Sequence, residues 1–197
     1  MLPRIILLIV LMPWLAGCEA VVVAPSAVSI PRTVQLLEHG RHTTLLLTAA
    51  DQTRVRYAYG DWIWYVEGEQ NPRTGIQALF SPTQAAFGRQ LFGPEQPDEQ
   101  LEAVVGVGIE QAYKFQAEAA RVDTLLASLD RQFHAGPAEP RYSVERNLWV
   151  VPHPRPYTFA YNSNHIVADW LRELGFEVHG NPAWGHWQVK TPQSAVE

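Results

Sequence analysis

Short apolar blocks alternate with polar breaks in the first third of the chain, a pattern typical of strands. Residues 33–48 carry apolar blocks on either side of Gly40 and predict two strands, or one strand broken at that glycine. Residues 54–59 alternate polar and apolar positions, which predicts a half-buried strand, and residues 62–66 (WIWYV) predict the next one. Because a turn signal at residues 60–61 separates these segments, the pattern predicts an antiparallel meander.

Helical signals follow in three places. Residues 81–84 (SPTQ) form a capping box and predict a helix that ends at residues 93–94. Residues 110–133 and 164–174 place apolar side chains on one face at helical spacing. Since strands and helices stand in separate blocks, the fold class predicted is α+β, an antiparallel sheet with about three helices. Further strands are predicted at residues 103–109, 148–151 and 186–191, and an extended loop at Pro152, Pro154 and Pro156.

The N-terminus has the features of a bacterial lipoprotein signal. Arg4 is followed by an apolar run at residues 5–15, about half of the roughly 20 residues that a membrane-spanning helix needs. Residues 15–18 (LAGC) resemble the bacterial lipobox, which implies cleavage after residue 17 and lipidation of Cys18. The alternative is an ordinary signal peptide that contains a cysteine. The expected divisions are a signal peptide at 1–17, a lipidated tether at 18–32, a single α+β domain at 33–191 and a tail at 192–197.

Composition agrees with an anchored envelope protein. Cys18 is the only cysteine in the 197 residues, so no internal disulfide can form and no thiol remains for catalysis. Acyl chains on Cys18 would give stable membrane anchoring, and Glu19 at the next position favours the outer membrane, facing the periplasm, in a Gram-negative host. The formal net charge of −5 gives no electrostatic case for binding nucleic acid. The expected partners are therefore the membrane and, beyond it, peptidoglycan or an envelope protein.

Two polar stretches could carry chemistry, residues 39–43 (HGRHT) and residues 161–165 (YNSNH). A strand His followed by a short polar residue at a helix start resembles the circularly permuted branch of the NlpC-type papain-like superfamily, which includes the lecithin–retinol acyltransferase-like proteins. In that family a strand His is the base and a Cys at a helix N-terminus is the nucleophile, in a motif close to Asn-Cys-Glu-His-Phe. Residues 162–166 (NSNHI) match this motif, and HGRHT resembles the His-Gly-x-His-Thr signature of bacterial envelope proteins assigned to the same superfamily.

The resemblance implies a permuted papain-like core over residues 33–176, with Ser163 at the nucleophile position. Because a hydroxyl forms no stable anion at a helix N-terminus, Ser163 would need a base, for which His42 is the first candidate and His39 the second. Asp61 is then the candidate that orients the imidazole, with Tyr59 second. The backbone N–H groups of Asn164 and His165 could form an oxyanion hole. The candidate binding residues are His39, Tyr59, Asn162, Asn164 and His165.

Simpler roles stay open for the same residues. Ser163 is also a good helix N-cap, His42 could be a half-buried strand residue, and Asp61 is a common turn residue. Three functions therefore remain. The first is a degenerate domain that binds a peptide, peptidoglycan fragment, acyl chain or partner protein. The second is an active Ser–His hydrolase or acyltransferase, and the third is a structural lipoprotein without a ligand cleft.

Neither a metal nor another cofactor is expected. The sequence contains no HExxH motif and no cluster of Cys and His. His39 and His42, three apart, would point to opposite faces of one strand unless Gly40 formed a bulge.

Overall fold

A computed structural model describes residues 19–67, 81–94 and 96–190. Within these residues, ten strands and three α-helices form a mixed α+β fold, as predicted. The lipobox with Cys18 and the tail at 192–197 lie outside the described residues. The helices are α1 (Leu101–Val105), α2 (Ala119–His134) and α3 (Ser163–Glu173), with a π-helical turn at Ile63–Glu67 and a 3-10 turn at Asp98–Gln100.

Two sheets contain the ten strands. The larger has seven strands in the order β6-β2-β3-β4-β5-β8-β7, all antiparallel, and the smaller has the order β10-β1-β9 with β1 and β10 parallel. The strands are β1 (Ala20–Val23), β2 (Pro31–Glu38), β3 (Thr43–Thr48), β4 (Arg54–Asp61), β5 (Thr83–Phe92), β6 (Gln111–Glu118), β7 (Arg141–Ser143), β8 (Leu148–Tyr157), β9 (Glu177–Gly180) and β10 (Trp187–Lys190).

The seven-stranded sheet has two different faces because side chains alternate along each strand. On the helix face, Leu45, Leu47 and Tyr57 belong to the main core with residues of α2 and α3. On the opposite face, Leu46 packs with α1 and Ala58 packs beside the π-helical turn. This second side, called the pocket face below, contains a polar cavity of about 360 Å³.

Five predicted elements agree with the structure: strands β2, β3 and β10, the start of β8, and helix α3. The two strands at residues 33–48 are separated at Gly40, which has a φ of +73°. Strand β4 is also present, but all eight of its residues are buried, because both faces of the sheet are covered around it. The half-buried pattern had suggested that the arginines of β4 point to solvent, but in the structure they are buried.

Three predictions of secondary structure are wrong, and a fourth, the long helix, is right only in its second part. The capping box at residues 81–84 begins strand β5, which pairs with β4 and β8, so sheet pairing outweighs the local signal. Residues 62–66 form most of a π-helical turn instead of a strand. The strand predicted at 103–109 is replaced by α1, which ends at Gly106 in the left-handed conformation, and the helix predicted from residue 110 begins only at Ala119, after β6.

Two segments are more ordered than the sequence suggested: the expected tether and the proline-rich stretch after residue 151. Strand β1 lies within the expected tether, and Ala20 and Val22 are fully buried between β9 and β10. Strand β8 continues through Pro152 and Pro154 instead of ending in a loop. It tolerates these prolines because β7 pairs with it only as far as Val150, so beyond that residue β8 is an edge strand that needs no further N–H donors.

Candidate functional site

His39 and His42 flank the two-residue loop of the β2–β3 hairpin. The His39 N–H donates to the His42 carbonyl over 2.7 Å, which extends the ladder by one residue pair beyond Glu38 and Thr43. Directly opposed residues of two strands share a face, and the two imidazole centroids lie 6.2 Å apart. The expectation of opposite faces is therefore wrong, because residues 39–42 form a turn between strands and not one continuous strand.

Both imidazoles line a cavity of about 360 Å³ on the pocket face. Its polar wall comes from the hairpin, strand β4, the π-helical turn and the segment before β8. Its apolar wall comes from the segment after α1 and from the start of β8. The lining residues are His39, His42, Thr44, Arg56, Tyr65, Glu102, Val107, Gly108, Ile109, Glu110, Arg146 and Leu148.

The His39 ring is held at both nitrogens. Nδ1 lies 2.8 Å from the Gly108 carbonyl oxygen, an acceptor only, so this nitrogen carries the proton and donates. Nε2 then accepts from the Thr44 hydroxyl over 3.0 Å. Burial lowers the pKa of His39 to about 4, although the bond to Gly108 opposes the shift. His39 is therefore neutral at pH 7 with an assigned tautomer.

His42 is paired with Tyr65, whose hydroxyl lies 2.6 Å from the imidazole Nε2. Burial, followed by His39 and two nearby arginines, lowers the pKa of His42 well below its ordinary value. Burial also raises the pKa of Tyr65 to about 12. The Tyr65 ring lies directly over Gly60, where an added Cβ would be 2.1 Å from the ring. Glycine at this position therefore allows the tyrosine to reach His42.

Two arginines stand beside this pair with unused N–H groups. Arg56 is 1% exposed, and its Nη2 donates to the Arg146 carbonyl over 2.6 Å, but its Nε and Nη1 have no partner. The Arg146 guanidinium lies 5.7 Å from the Tyr65 ring centroid, and its Nε is also buried without a partner. No carboxylate of the described residues forms an ion pair with either arginine. Burial lowers the pKa of Arg56 to about 10, so the side chain remains charged at pH 7.

Ser163 lies at the start of α3, but Asn162 is the N-cap. The Asn162 Oδ1 accepts from the backbone N–H groups of Asn164 and His165 over 3.0 and 3.4 Å. The two donors expected to form an oxyanion hole are therefore already occupied by the cap. His165 completes the capping box, because its Nδ1 accepts from the Asn162 N–H over 3.4 Å.

Asn164 ties α3 to the helix face of the sheet. Its Oδ1 accepts from the Thr43 hydroxyl over 2.7 Å, and its Nδ2 donates to the carbonyls of Arg41 (3.0 Å) and Ala183 (3.2 Å). Thr43 therefore points toward α3, while the preceding His42 points into the cavity on the other face. The His42 side chain therefore lies on the far side of the hairpin from α3, although the neighbouring Arg41 carbonyl contacts Asn164.

Ser163 and His42 do not form the expected dyad in this structure. The Ser163 hydroxyl is 1% exposed, and its one hydrogen bond is a long one, 3.5 Å to the Asn164 Oδ1. No hydrogen bond joins Ser163 to an imidazole among the described residues. The predicted nucleophile and the predicted base lie on opposite faces of the sheet. The prediction that Ser163 and His42 form a dyad is therefore wrong for this structure.

Asp61 and Tyr59 also have other partners than those expected. Asp61 Oδ1 accepts from the N–H groups of Ile63 (2.9 Å) and Trp64 (3.2 Å), and Oδ2 accepts from the Thr83 hydroxyl. Asp61 thus caps the π-helical turn and does not orient His42. The fully buried Tyr59 donates its hydroxyl to backbone carbonyls at the end of β8 and lies within the aromatic core.

The sequence did not predict the three residues that supply most of the hydrogen-bond donors of the cavity, Arg56, Tyr65 and Arg146. Arg56 occupies a polar position of an alternating strand, which favoured a solvent-facing side chain, and Tyr65 lay in a segment expected to be a strand. Arg146 carries no motif at all. The one available signal was the repeated arginine at positions 54 and 56, on a strand now known to be covered on both sides.

Comparison with protein-family models, with curated proteins and with solved structures finds no match to this chain. Among the described residues, no group of three or more potential metal ligands is present. No helix in the described ranges is both long and apolar enough to cross a bilayer.

Proposed function

We propose that this chain is a bacterial lipoprotein, anchored through Cys18 on the periplasmic side of the outer membrane, whose single domain binds a ligand without turning it over. The ligand site is the cavity between the β2–β3 hairpin and Arg56, called the Arg56 pocket below. We do not extend this proposal to the permuted papain-like fold. A degenerate relative would still hold the serine that replaces the thiol beside the strand His, whereas here Ser163 and His42 lie on opposite faces of the sheet.

The N-terminal sequence and the position of β1 support the anchored arrangement. Strand β1 begins at Ala20, two residues after Cys18. Since an extended residue spans about 3.3–3.6 Å, a lipid on Cys18 would hold the domain within about 10 Å of the bilayer surface. The Ala20 N–H donates to the His186 carbonyl, and the adjacent Gly185 packs against Arg41 of the hairpin loop. The hairpin therefore stands at the anchored end of the domain.

The pairing of His42 with Tyr65 is the observation that carries the binding role. A general base must have a nitrogen free to take a proton from the nucleophile, within about 2.6–3.2 Å. In His42 the Nε2 is already bonded to the Tyr65 hydroxyl, and the hydroxyl of Ser163 is buried on the other face of the sheet. In the lining of the Arg56 pocket, the Thr44 hydroxyl does donate to His39 Nε2, but burial lowers the pKa of His39 to about 4 and makes it a weak base, which favours recognition over catalysis.

Lipidation can be tested by labelling cells that express the full chain with an alkyne fatty acid. We expect label in the membrane fraction, and none in a Cys18→Ser variant produced at the same level. Unlabelled wild-type chain, or equal label in both chains, would contradict the anchored role.

Catalysis can be tested separately with a fluorophosphonate probe that reacts with activated serines. We expect no labelling of the purified chain, in contrast to an active serine hydrolase treated in parallel. Labelling that both Ser163→Ala and His42→Gln abolish would overturn the binding role and favour an active Ser–His enzyme.

A further inference from the structure

We propose that the Arg56 pocket binds the carboxylate group of its ligand, as found at the C-terminus of a peptide or at the end of an acyl chain. This inference rests on the proposed binding function and names the chemical class that the site would take. It depends on the buried N–H groups of Arg56 and Arg146 that have no partner, together with the lack of any carboxylate among the described residues that pairs with either guanidinium.

Arg54 shows how an arginine on this face is satisfied when its role is structural. Arg54 and Arg56 are two residues apart on β4 and therefore share the pocket face. Arg54 pairs with Asp98 at 2.5 Å and also donates to the Gln96 carbonyl. Arg56 is more deeply buried, yet two of its three nitrogens have no partner. A buried unpaired guanidinium is costly unless a ligand completes it.

The charges around the cavity favour a single negative charge on the ligand. Arg56 and Arg146 contribute two positive charges, and Glu102 and Glu110 on the lining contribute two negative ones. Since both imidazoles are neutral at pH 7, the lining as a whole is close to neutral. A carboxylate carries one charge, whereas a phosphate monoester carries about −1.5 to −2 and would meet more repulsion from the glutamates.

The rest of the lining suits an organic acid with a small apolar body. Val107, Ile109 and Leu148 supply apolar surface next to the guanidinium groups. The volume of about 360 Å³ lies at the lower end of the range of roughly 300–1,000 Å³ for small-molecule pockets. The site is therefore large enough for a terminal dipeptide or a short acyl chain, with its carboxylate against Arg56.

The experiment is titration of the full chain, in detergent, with N-acetyl-Ala-Ala, its C-terminal amide, hexanoate and inorganic phosphate. Nitrogen-15 NMR would follow the Nε–H resonance of Arg56 and the ring resonances of His39 and His42. We expect the free acid to shift the Arg56 resonance, at least tenfold weaker binding by the amide, and no comparable shift with phosphate. Hexanoate distinguishes the two sources: binding as tight as that of the peptide acid indicates an acyl ligand, and weaker binding a peptide.

Arg56→Met and Arg54→Met are the matched variants. Binding of the free acid should be lost in Arg56→Met and kept in Arg54→Met, whose side chain belongs to the Asp98 ion pair. Should Arg54→Met not fold, Arg56→Lys provides a second comparison, with charge retained and affinity reduced at least fivefold.

Several outcomes would overturn the carboxylate inference. Equal binding of acid and amide that still perturbs His39 and His42 would leave the proposed binding function in place but remove the carboxylate. Tighter binding of phosphate would replace it with a phosphate site. No perturbation by any of the four probes would count against the carboxylate, whereas the proposed function fails only if Ser163 proves reactive or Cys18 is not lipidated.

Discussion

The N-terminus of α3 and the Arg56 pocket both bury polar side chains, on opposite faces of the same sheet. At α3, Asn162 and Asn164 are buried and use their amide groups to bond backbone N–H groups, carbonyls and the Thr43 hydroxyl. In the pocket, Arg56 is as deeply buried but leaves two nitrogens unpaired. The first arrangement is complete within the protein, and the second is not.

Under the proposed function, the difference separates polar groups that stabilise the fold from polar groups that a ligand would complete. Folding alone selects for buried polar groups that have partners, because an unpaired donor costs about 1–3 kcal/mol. The α3 cluster meets this requirement and explains the YNSNH stretch without catalysis. The pocket departs from it, which is expected where a ligand supplies the missing partner.

The largest expected effect is at Asn164. Asn164→Ala should lower the free energy of unfolding by about 3 kcal/mol, because it removes the acceptor of the Thr43 hydroxyl, the side-chain donor to the Arg41 carbonyl and one of two amide donors to the Ala183 carbonyl. Urea denaturation measures the change. A loss below about 1 kcal/mol would mean that the α3 cluster does not hold the hairpin in place.

The free energy of unfolding should depend on pH through His39, which lines the pocket. The folded pKa of His39 is lowered to about 4, so the unfolded chain takes up the proton first as the pH falls. The contribution of His39 is therefore complete above about pH 6.5 and is lost toward pH 4, by no more than about 3 kcal/mol. His39→Gln should flatten this part of a plot of unfolding free energy against pH.

Glu38 gives the opposite slope and serves as the control. Burial raises its folded pKa to about 7, against the effect of the bond from the Trp187 N–H, so the folded chain holds the proton longer than the unfolded chain. The contribution of protonated Glu38 is complete below about pH 4.5 and is lost as the pH rises through about 7. Glu38→Gln should therefore make stability rise more steeply with pH, and unchanged slopes in both variants would contradict these assignments.

Gly60→Ala should disturb the pocket with a smaller loss of stability. The added Cβ would meet the Tyr65 ring at 2.1 Å, so the ring must move away from His42 at a cost of about 2 kcal/mol. Gly136→Ala is the control, since nothing lies within 4 Å of its added Cβ. Thermal unfolding measures stability, and the imidazole resonances of His42 report the lost hydrogen bond. Equal stability of the two variants would argue against this placement of Tyr65.

The smallest expected effect is at Ser163. Its one hydrogen bond is 3.5 Å long, so Ser163→Ala should change the free energy of unfolding by less than about 1 kcal/mol and leave ligand binding unchanged. Loss of ligand binding in this variant would place Ser163 in the functional site after all.

The sequence predicted the elements whose signals are local. The apolar face of α3 and the break at Gly40 determine their structures with little help from the rest of the chain. Strand β5 could not be predicted in this way, because SPTQ is a good helix start and only pairing with β4 and β8 makes it a strand. The same applies to β6, which lies in a segment with a helical composition.

Only part of the candidate site could be predicted from the sequence. HGRHT correctly marked the hairpin whose two imidazoles line the cavity. The partners of those imidazoles could not be predicted, since they depend on which face each side chain occupies. A two-residue loop sets His39 opposite His42, and the alternation of β3 then turns Thr43 toward α3. Arg56 and Tyr65 reach the cavity through β4 and the turn after it, and neither has a motif of its own.

The most direct test compares the free energies of unfolding of Arg56→Met and Arg54→Met without ligand. If Arg56 is retained for binding, methionine in its place removes a buried unpaired charge, and stability should rise by about 1–2 kcal/mol. Arg54→Met should instead lose about 1 kcal/mol, because it removes the ion pair with Asp98, which is part-exposed and keeps Lys114 as a partner. A loss of similar size at Arg56 would contradict the account, since the guanidinium would then be part of what holds the fold together.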